Sequence, residues 1–149
     1  MIKRWILGGL LLLGFSTSLP GQSNELLDRI LAEEELRFGS AVYLVLSASY
    51  ATQERDALDR GAALRRARER IPVATDGPLT LGQYAHLLQQ FFDLPRGVWY
   101  RAYPAPRFAA RDLAHAGIIQ GRAYPNMRVS GERAVRILGR SLAYLEGNL

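Results

Sequence analysis

Apolar positions along the chain recur mostly at helical spacing, interrupted by short proline and glycine punctuation. Asn24 is placed to cap a first helix running to about Phe38, with Leu26, Leu27, Ile30, Leu31 and Leu36 on one side and Glu33 to Glu35 on the other. A second helix follows Gly39 and is apolar almost all round from Ala41 to Ala48, which predicts a position at the centre of the domain. Arg55 to Arg70 reads as a strongly charged third helix with a narrow stripe of Ala57, Leu58, Ala62, Leu64, Ala67 and Ile71, and Pro72 ends it. Its charge run is read as a solvated face.

Asp76-Gly77-Pro78 predicts a turn, and Thr80 followed by Gln83 three places later has the form of a capping box. The helix it opens runs from Leu81 to Phe92 and carries Tyr84, Leu87, Leu88 and Phe91 on one face. From Asp93 to Pro106 three prolines surround Trp99, Tyr100 and Tyr103, so this stretch reads as irregular. Pro106 suits the first turn of a helix reaching Ala116, and Gly117 suits its C-terminal cap. A loop containing Gly121 and Pro125 leads to a last helix from Ser130 to about Tyr144.

One pattern repeats. Phe38-Gly39-Ser40-Ala41, Leu81-Gly82-Gln83-Tyr84 and Ser130-Gly131-Glu132-Arg133 each set a glycine just ahead of an apolar helical stripe, at intervals of 43 and 49 residues. Self-similarity at that interval suggests small helical units that bury their faces against one another. The expected fold is all-α: a small bundle of about five to six helices.

Composition narrows the picture. A chain of 149 residues, 48% hydrophobic and 22% charged, has the make-up of one globular domain with a real core. No cysteine is present, which removes disulfides and thiolate metal sites from consideration. Lys3 and Arg4 followed by the apolar run Trp5 to Phe15 and by Ser16-Thr17-Ser18 read as a secretory signal cleaved after Ser18, or after Gly21. The run is shorter than the roughly 20 residues of a membrane span. The expected organisation is therefore a signal peptide over 1–18, a lead helix over 19–37 and a helical domain over 38–149, in a protein exported to the periplasm or cell envelope with no stable membrane span after cleavage.

Charge and candidate chemistry point to binding. Without Lys3 and Arg4 the net charge falls from +5 to +3, and every remaining cation is arginine. Such a mild excess, interspersed with acids, argues against nucleic acid, while arginine leaves carboxylate and phosphate partners open. The two histidines, His86 and His115, lack acidic neighbours at metal-ligand spacing, so no metal site or other cofactor is expected. Glu33, Glu34 and Glu35 are adjacent on a polar face, and no Gly-x-Ser-x-Gly elbow or phosphate-binding glycine loop occurs. No enzyme is expected.

The stretch from Phe92 to Leu142 resembles the S-layer homology module of bacterial envelope proteins. The residues that carry the likeness are Phe92-Asp93-Leu94-Pro95, Trp99, the helix through Leu113, Gly117-Ile118-Ile119-Gln120-Gly121, Pro125 and Val129-Ser130-Gly131-Glu132. The stretch through Ile71-Pro72 to Gln83 looks like a second, degenerate unit without its aromatic and aspartate front marker, and the helix at Phe38 like the tail of a third. The resemblance implies a non-catalytic anchor for peptidoglycan or a related cell-wall polysaccharide. In that family a threonine-arginine-alanine-glutamate sequence at the helix start binds an anionic sugar group. Here Thr80, Gly82 and Gln83 match it in part, but Leu81 stands in the arginine's place, as do Phe38 and Ser130 in the other copies.

The loops flanking the Pro106 helix offer a substitute. Trp99, Tyr100, Arg101, Arg107, Arg122, Tyr124 and Arg128 gather aromatic faces that stack on sugar rings and guanidinium forks that bind carboxylates. Structural duty is the competing account, with Trp99 plugging the core and Tyr124 shaping the turn at Pro125. A glycan site predicts that Arg101, Arg122 and Arg128 converge in a polar groove. The rival role, an adaptor docked on another envelope protein, predicts a contiguous exposed apolar surface such as Val98-Trp99-Tyr100.

Overall fold

The computed structural model describes residues 21–53, 69 and 77–149. The signal segment and, except for Glu69, the charged Arg55–Arg70 helix expected from sequence lie outside the described residues. Within them the protein is an all-α bundle of six helices with no strand: α1 (Gly21–Leu31), α2 (Phe38–Gln53), α3 (Leu81–Phe91), α4 (Val98–Ala102), α5 (Pro106–His115) and α6 (Gly131–Leu145). No helix among the described residues is long and apolar enough to cross a membrane.

Local chemistry sets most helix ends. Thr80 and Gln83 form the complete capping box at α3: the Thr80 hydroxyl accepts from the Gln83 amide at 3.3 Å, and the Gln83 side chain accepts from the Thr80 amide at 2.9 Å. Ser130 caps α6 through the Arg133 amide at 3.3 Å. Pro106 opens α5, and Gly117 closes the turn after it with φ +76°, in the left-handed region where glycine is preferred.

Three expectations are corrected. The first helix stops at Leu31 instead of about Phe38, because Leu36 leaves the helical path to join a junction of loops. The irregular stretch after Asp93 contains the short helix α4. The centre of the bundle is α3, not α2: Leu81, Gly82, Tyr84, Ala85, His86, Leu87, Leu88 and Gln89 are all buried, and α3 packs on α2, α5 and α6. Helix α2 supplies Phe38, Ala41, Val42, Leu44 and Val45 to the core but leaves Gly39 and Ser47 exposed.

The segments that precede α2, α3 and α6 meet one another. The Leu36 amide donates to the Val129 carbonyl at 2.7 Å, and the Leu79 amide donates to the Leu36 carbonyl at 2.8 Å. Leu36, Leu79 and Val129 each stand one residue before the first turn's capping position, and all three are fully buried. Neighbouring carbonyls satisfy the free N–H groups of the helix starts: Phe38 donates to Gly77 at 3.1 Å, Leu81 to Met127 at 2.8 Å, Gly82 to Pro125 at 2.8 Å and Gly131 to Glu33 at 2.9 Å. Each of these helices thus borrows its N-terminal hydrogen bonds from a distant loop, which ties the three segments into one body.

Candidate functional site

Helix α4 is too short to hold itself in place, and its neighbours fix it at both ends. Ahead of it, Gln89 Nε2 donates to the Pro95 carbonyl at 2.7 Å and Arg96 donates back to the Gln89 carbonyl at 2.5 Å. Gly97, its N-terminal capping position, donates its amide to Asp112 Oδ2 at 2.8 Å, so a carboxylate from α5 does the work of a cap. A Cβ at Gly97 would lie 2.6 Å from Asp112 Oδ1, so a larger residue there would push this carboxylate from its place.

This anchoring decides which aromatic side chains face solvent. Tyr100 turns inward and is 3% exposed, with its hydroxyl 2.7 Å from His86 Nδ1 and accepting from Gln90 Nε2 at 3.0 Å. It is a core residue whose hydroxyl is already engaged, which corrects its place among surface contact candidates. Trp99 goes the other way: it is 58% exposed and does not plug the core. Its ring stacks on Phe108 of α5, with centroids 6.4 Å apart and 21° between planes. Arg107 lies over the Phe108 ring at 4.5 Å and Arg111 at 5.5 Å. Val98, the first residue of α4, and Tyr103, its C-terminal capping residue, are also exposed, as is Arg101 within the helix.

The remaining sequence candidates separate from this platform. Arg128 donates to the Pro78 carbonyl at 2.8 Å and lies 3.9 Å from a Glu35 oxygen, so it straps the loop junction. Tyr124 is exposed, and its carbonyl accepts the Met127 amide at 3.2 Å in the turn at Pro125. Arg122 lines a pocket of about 240 Å³ together with Ile118, Gln120, Gly121, Arg133, Arg136, Ile137 and Arg140. Neither Arg101 nor Arg128 lines it, so the three arginines expected to converge do not form one groove.

Phe108 and Arg111 on the platform, and Arg133, Arg136 and Arg140 in the pocket, escaped the sequence reading. The signal for the latter existed: these arginines recur at intervals of three and four, the spacing of one helix face. Nothing in the sequence indicated that the Gly117–Arg122 turn faces them.

Other candidates resolve into structural roles. Ser130 corresponds to Thr80 as a cap, so Gly131, not Ser130, takes the position that Leu81 holds in α3. Glu33 accepts the Arg37 amide at 3.0 Å and the Ser40 hydroxyl at 2.6 Å, holding the start of α2. His86 is buried against Tyr100 with their rings edge to face at 5.6 Å, while His115 is exposed near the end of α5. No group of three potential metal ligands occurs among the described residues.

Compared with known proteins, the chain matches no protein family, no curated protein and no solved structure.

Proposed function

We propose that this protein is an exported, non-catalytic module of the periplasm or cell envelope that binds peptidoglycan or a related wall polysaccharide. The observation that carries this reading is the Trp99–Phe108 stack with Arg107 and Arg111 against it, a part-exposed indole held at fixed orientation among cations. A fixed aromatic face suits the apolar face of a sugar ring, and neighbouring guanidinium groups suit carboxylates on lactyl or peptide substituents. The S-layer-homology-like arrangement gains support from the equivalent places of Leu36, Leu79 and Val129 in the junction. The shared capping by Thr80 and Ser130 points the same way.

Co-sedimentation of the full chain with purified sacculi tests this reading, beside a Trp99→Ala/Arg107→Ala variant whose fold is checked by circular dichroism. Saturable pelleting of the wild type, weakened about tenfold or more in the variant, is expected from loss of one stacking and one charged contact. A folded wild type that stays in the supernatant rejects it.

A second reading rests on the exposure of Val98 and Trp99 on one short helix and of Tyr103 at its end, which also suits an adaptor that docks on another envelope protein. A photo-crosslinker at Val98 separates the two: a discrete protein adduct in cells favours the adaptor, and adducts confined to wall material favour the glycan.

A further inference from the structure

The pocket between α6 and the turn after α5 is unlike the platform in its chemistry. Its floor is apolar, formed by the buried Ile118 and Ile137. Arg122, Arg133, Arg136 and Arg140 line it, and no acidic residue does. Glu132, on the exposed side of α6, lies 3.3 Å from Arg136 and is the one acid that pairs with any of the four among the described residues.

Backbone carbonyls of the turn hold part of this charge in place. Gly117 and Gly121 both have positive φ, +76° and +75°, and their turn brings its carbonyls towards α6. Arg133 donates to the carbonyls of Arg122 and, at 3.3 Å, of Gln120, and to Met127 Sδ at 3.3 Å. Arg140 reaches the Gly117 carbonyl at 3.5 Å. Two of the four guanidinium groups are therefore pinned to the backbone that forms the opposite wall. Burial and the nearby charge of Arg136 both push the Arg133 pKa down, so cations are crowded here at a cost to the folded state. Arg122 has no ion pair among the described residues, and an anion in the pocket would relieve this repulsion.

We propose that this pocket is an oxyanion site that binds a phosphoryl group, with Arg122, Arg136 and Arg140 as its contacts and Arg133 as the fixed cation in its wall. A volume of about 240 Å³ falls below the roughly 300–1,000 Å³ of sites for drug-sized ligands, which suits one small charged group. A single carboxylate brings only one negative charge to a pocket lined by four guanidinium groups. A tetrahedral dianion offers an oxygen to each, and guanidinium forks match phosphate geometry. The site does not depend on the Trp99 platform, since no residue of that platform lines it.

Calorimetric titration of the full chain with inorganic pyrophosphate, phosphate and acetate, at constant ionic strength, tests the assignment. Saturable binding of one pyrophosphate per chain is expected, weaker binding of phosphate, and none of acetate. Arg136→Gln/Arg140→Gln should lose about tenfold to a hundredfold in affinity, as for removal of charged hydrogen bonds. Glu132→Gln should gain about twofold or more by freeing Arg136. Arg101→Gln/Arg107→Gln should bind pyrophosphate as the wild type does. Absence of saturable binding by the folded wild type, or equal binding by Arg136→Gln/Arg140→Gln, overturns the proposal. Flotation with phosphatidylglycerol and phosphatidylcholine vesicles then assigns the source of the group. Retention on the anionic vesicles that pyrophosphate displaces places it on a lipid, whereas pyrophosphate binding without retention places it on a solute or wall polymer.

Discussion

Gly131, the first residue of α6, lies so close to Ile30 that a Cβ built on it would sit 1.6 Å from the Ile30 carbonyl oxygen. The same residue donates its amide to the Glu33 carbonyl at 2.9 Å, so the end of α1 and the start of α6 share one tight crossing. This contact makes α1 an integral part of the bundle rather than a detached leader.

Substitution at this crossing should be costly, and a glycine elsewhere on the same helix provides the comparison. Gly131→Ala must separate α1 from α6 and is expected to destabilise by at least about 2 kcal/mol, as for overpacking against backbone. Gly139 is exposed within α6 and a Cβ there meets nothing within 4 Å. Gly139→Ala should stabilise by about 0.5–1 kcal/mol through helix propensity. Urea unfolding of both variants measures the two signs together.

Tyr84 should make stability depend on alkaline pH. Its ring is fully buried and its hydroxyl donates to the Ala134 carbonyl at 3.0 Å, linking α3 to α6. Burial drives its pKa far above the ordinary tyrosine value of 10.0. The folded state therefore keeps this proton where the unfolded chain has released it. Its contribution is whole below pH 10 and declines by about 1.4 kcal/mol per pH unit above it. Tyr84→Phe should cost about 1 kcal/mol at neutral pH. That deficit should shrink between pH 10 and 11 relative to the wild type, as read from unfolding midpoints at each pH.

The platform and its support should respond differently to mutation. Trp99→Ala is expected to change stability by about 1 kcal/mol or less, because the indole is part-exposed, while abolishing most sacculus binding. Tyr100→Phe should cost about 1 kcal/mol by removing the hydroxyl beside His86 and Gln90, and should leave binding nearly intact. Reversed outcomes in paired unfolding and pelleting assays would exchange the roles given to these adjacent residues.

Asp112 should act on binding through position. Asp112→Ala removes the acceptor for the Gly97 amide and is expected to cost about 1 kcal/mol as a lost cap. The freed start of α4 should weaken sacculus binding although Asp112 itself is buried beneath the platform helix. Trp99 fluorescence should shift in the same variant as the stack on Phe108 loosens.

The legible parts of this chain were those whose cause lies within a few residues. Thr80 with Gln83, Ser130, Pro106 and Gly117 act on the turn they belong to, so their types and spacing announce the starts and ends of α3, α5 and α6. The arginine and aromatic candidates were legible as residue types only. Their partition was not, because Arg122 meets Arg133, Arg136 and Arg140 through a turn shaped by Gly117 and Gly121, while Arg128 is used on Pro78.

Helical class, most boundaries and the caps were thus determined by the sequence itself, through apolar spacing and short-range hydrogen bonds. Tertiary structure alone decided that Leu36 abandons α1 to bond with Val129, that a carboxylate on α5 starts α4, and that Tyr100 is buried while Trp99 is not. Those outcomes depend on partners far away in the chain, whose burial and hydrogen bonds outweigh the small local preferences that a sequence pattern records.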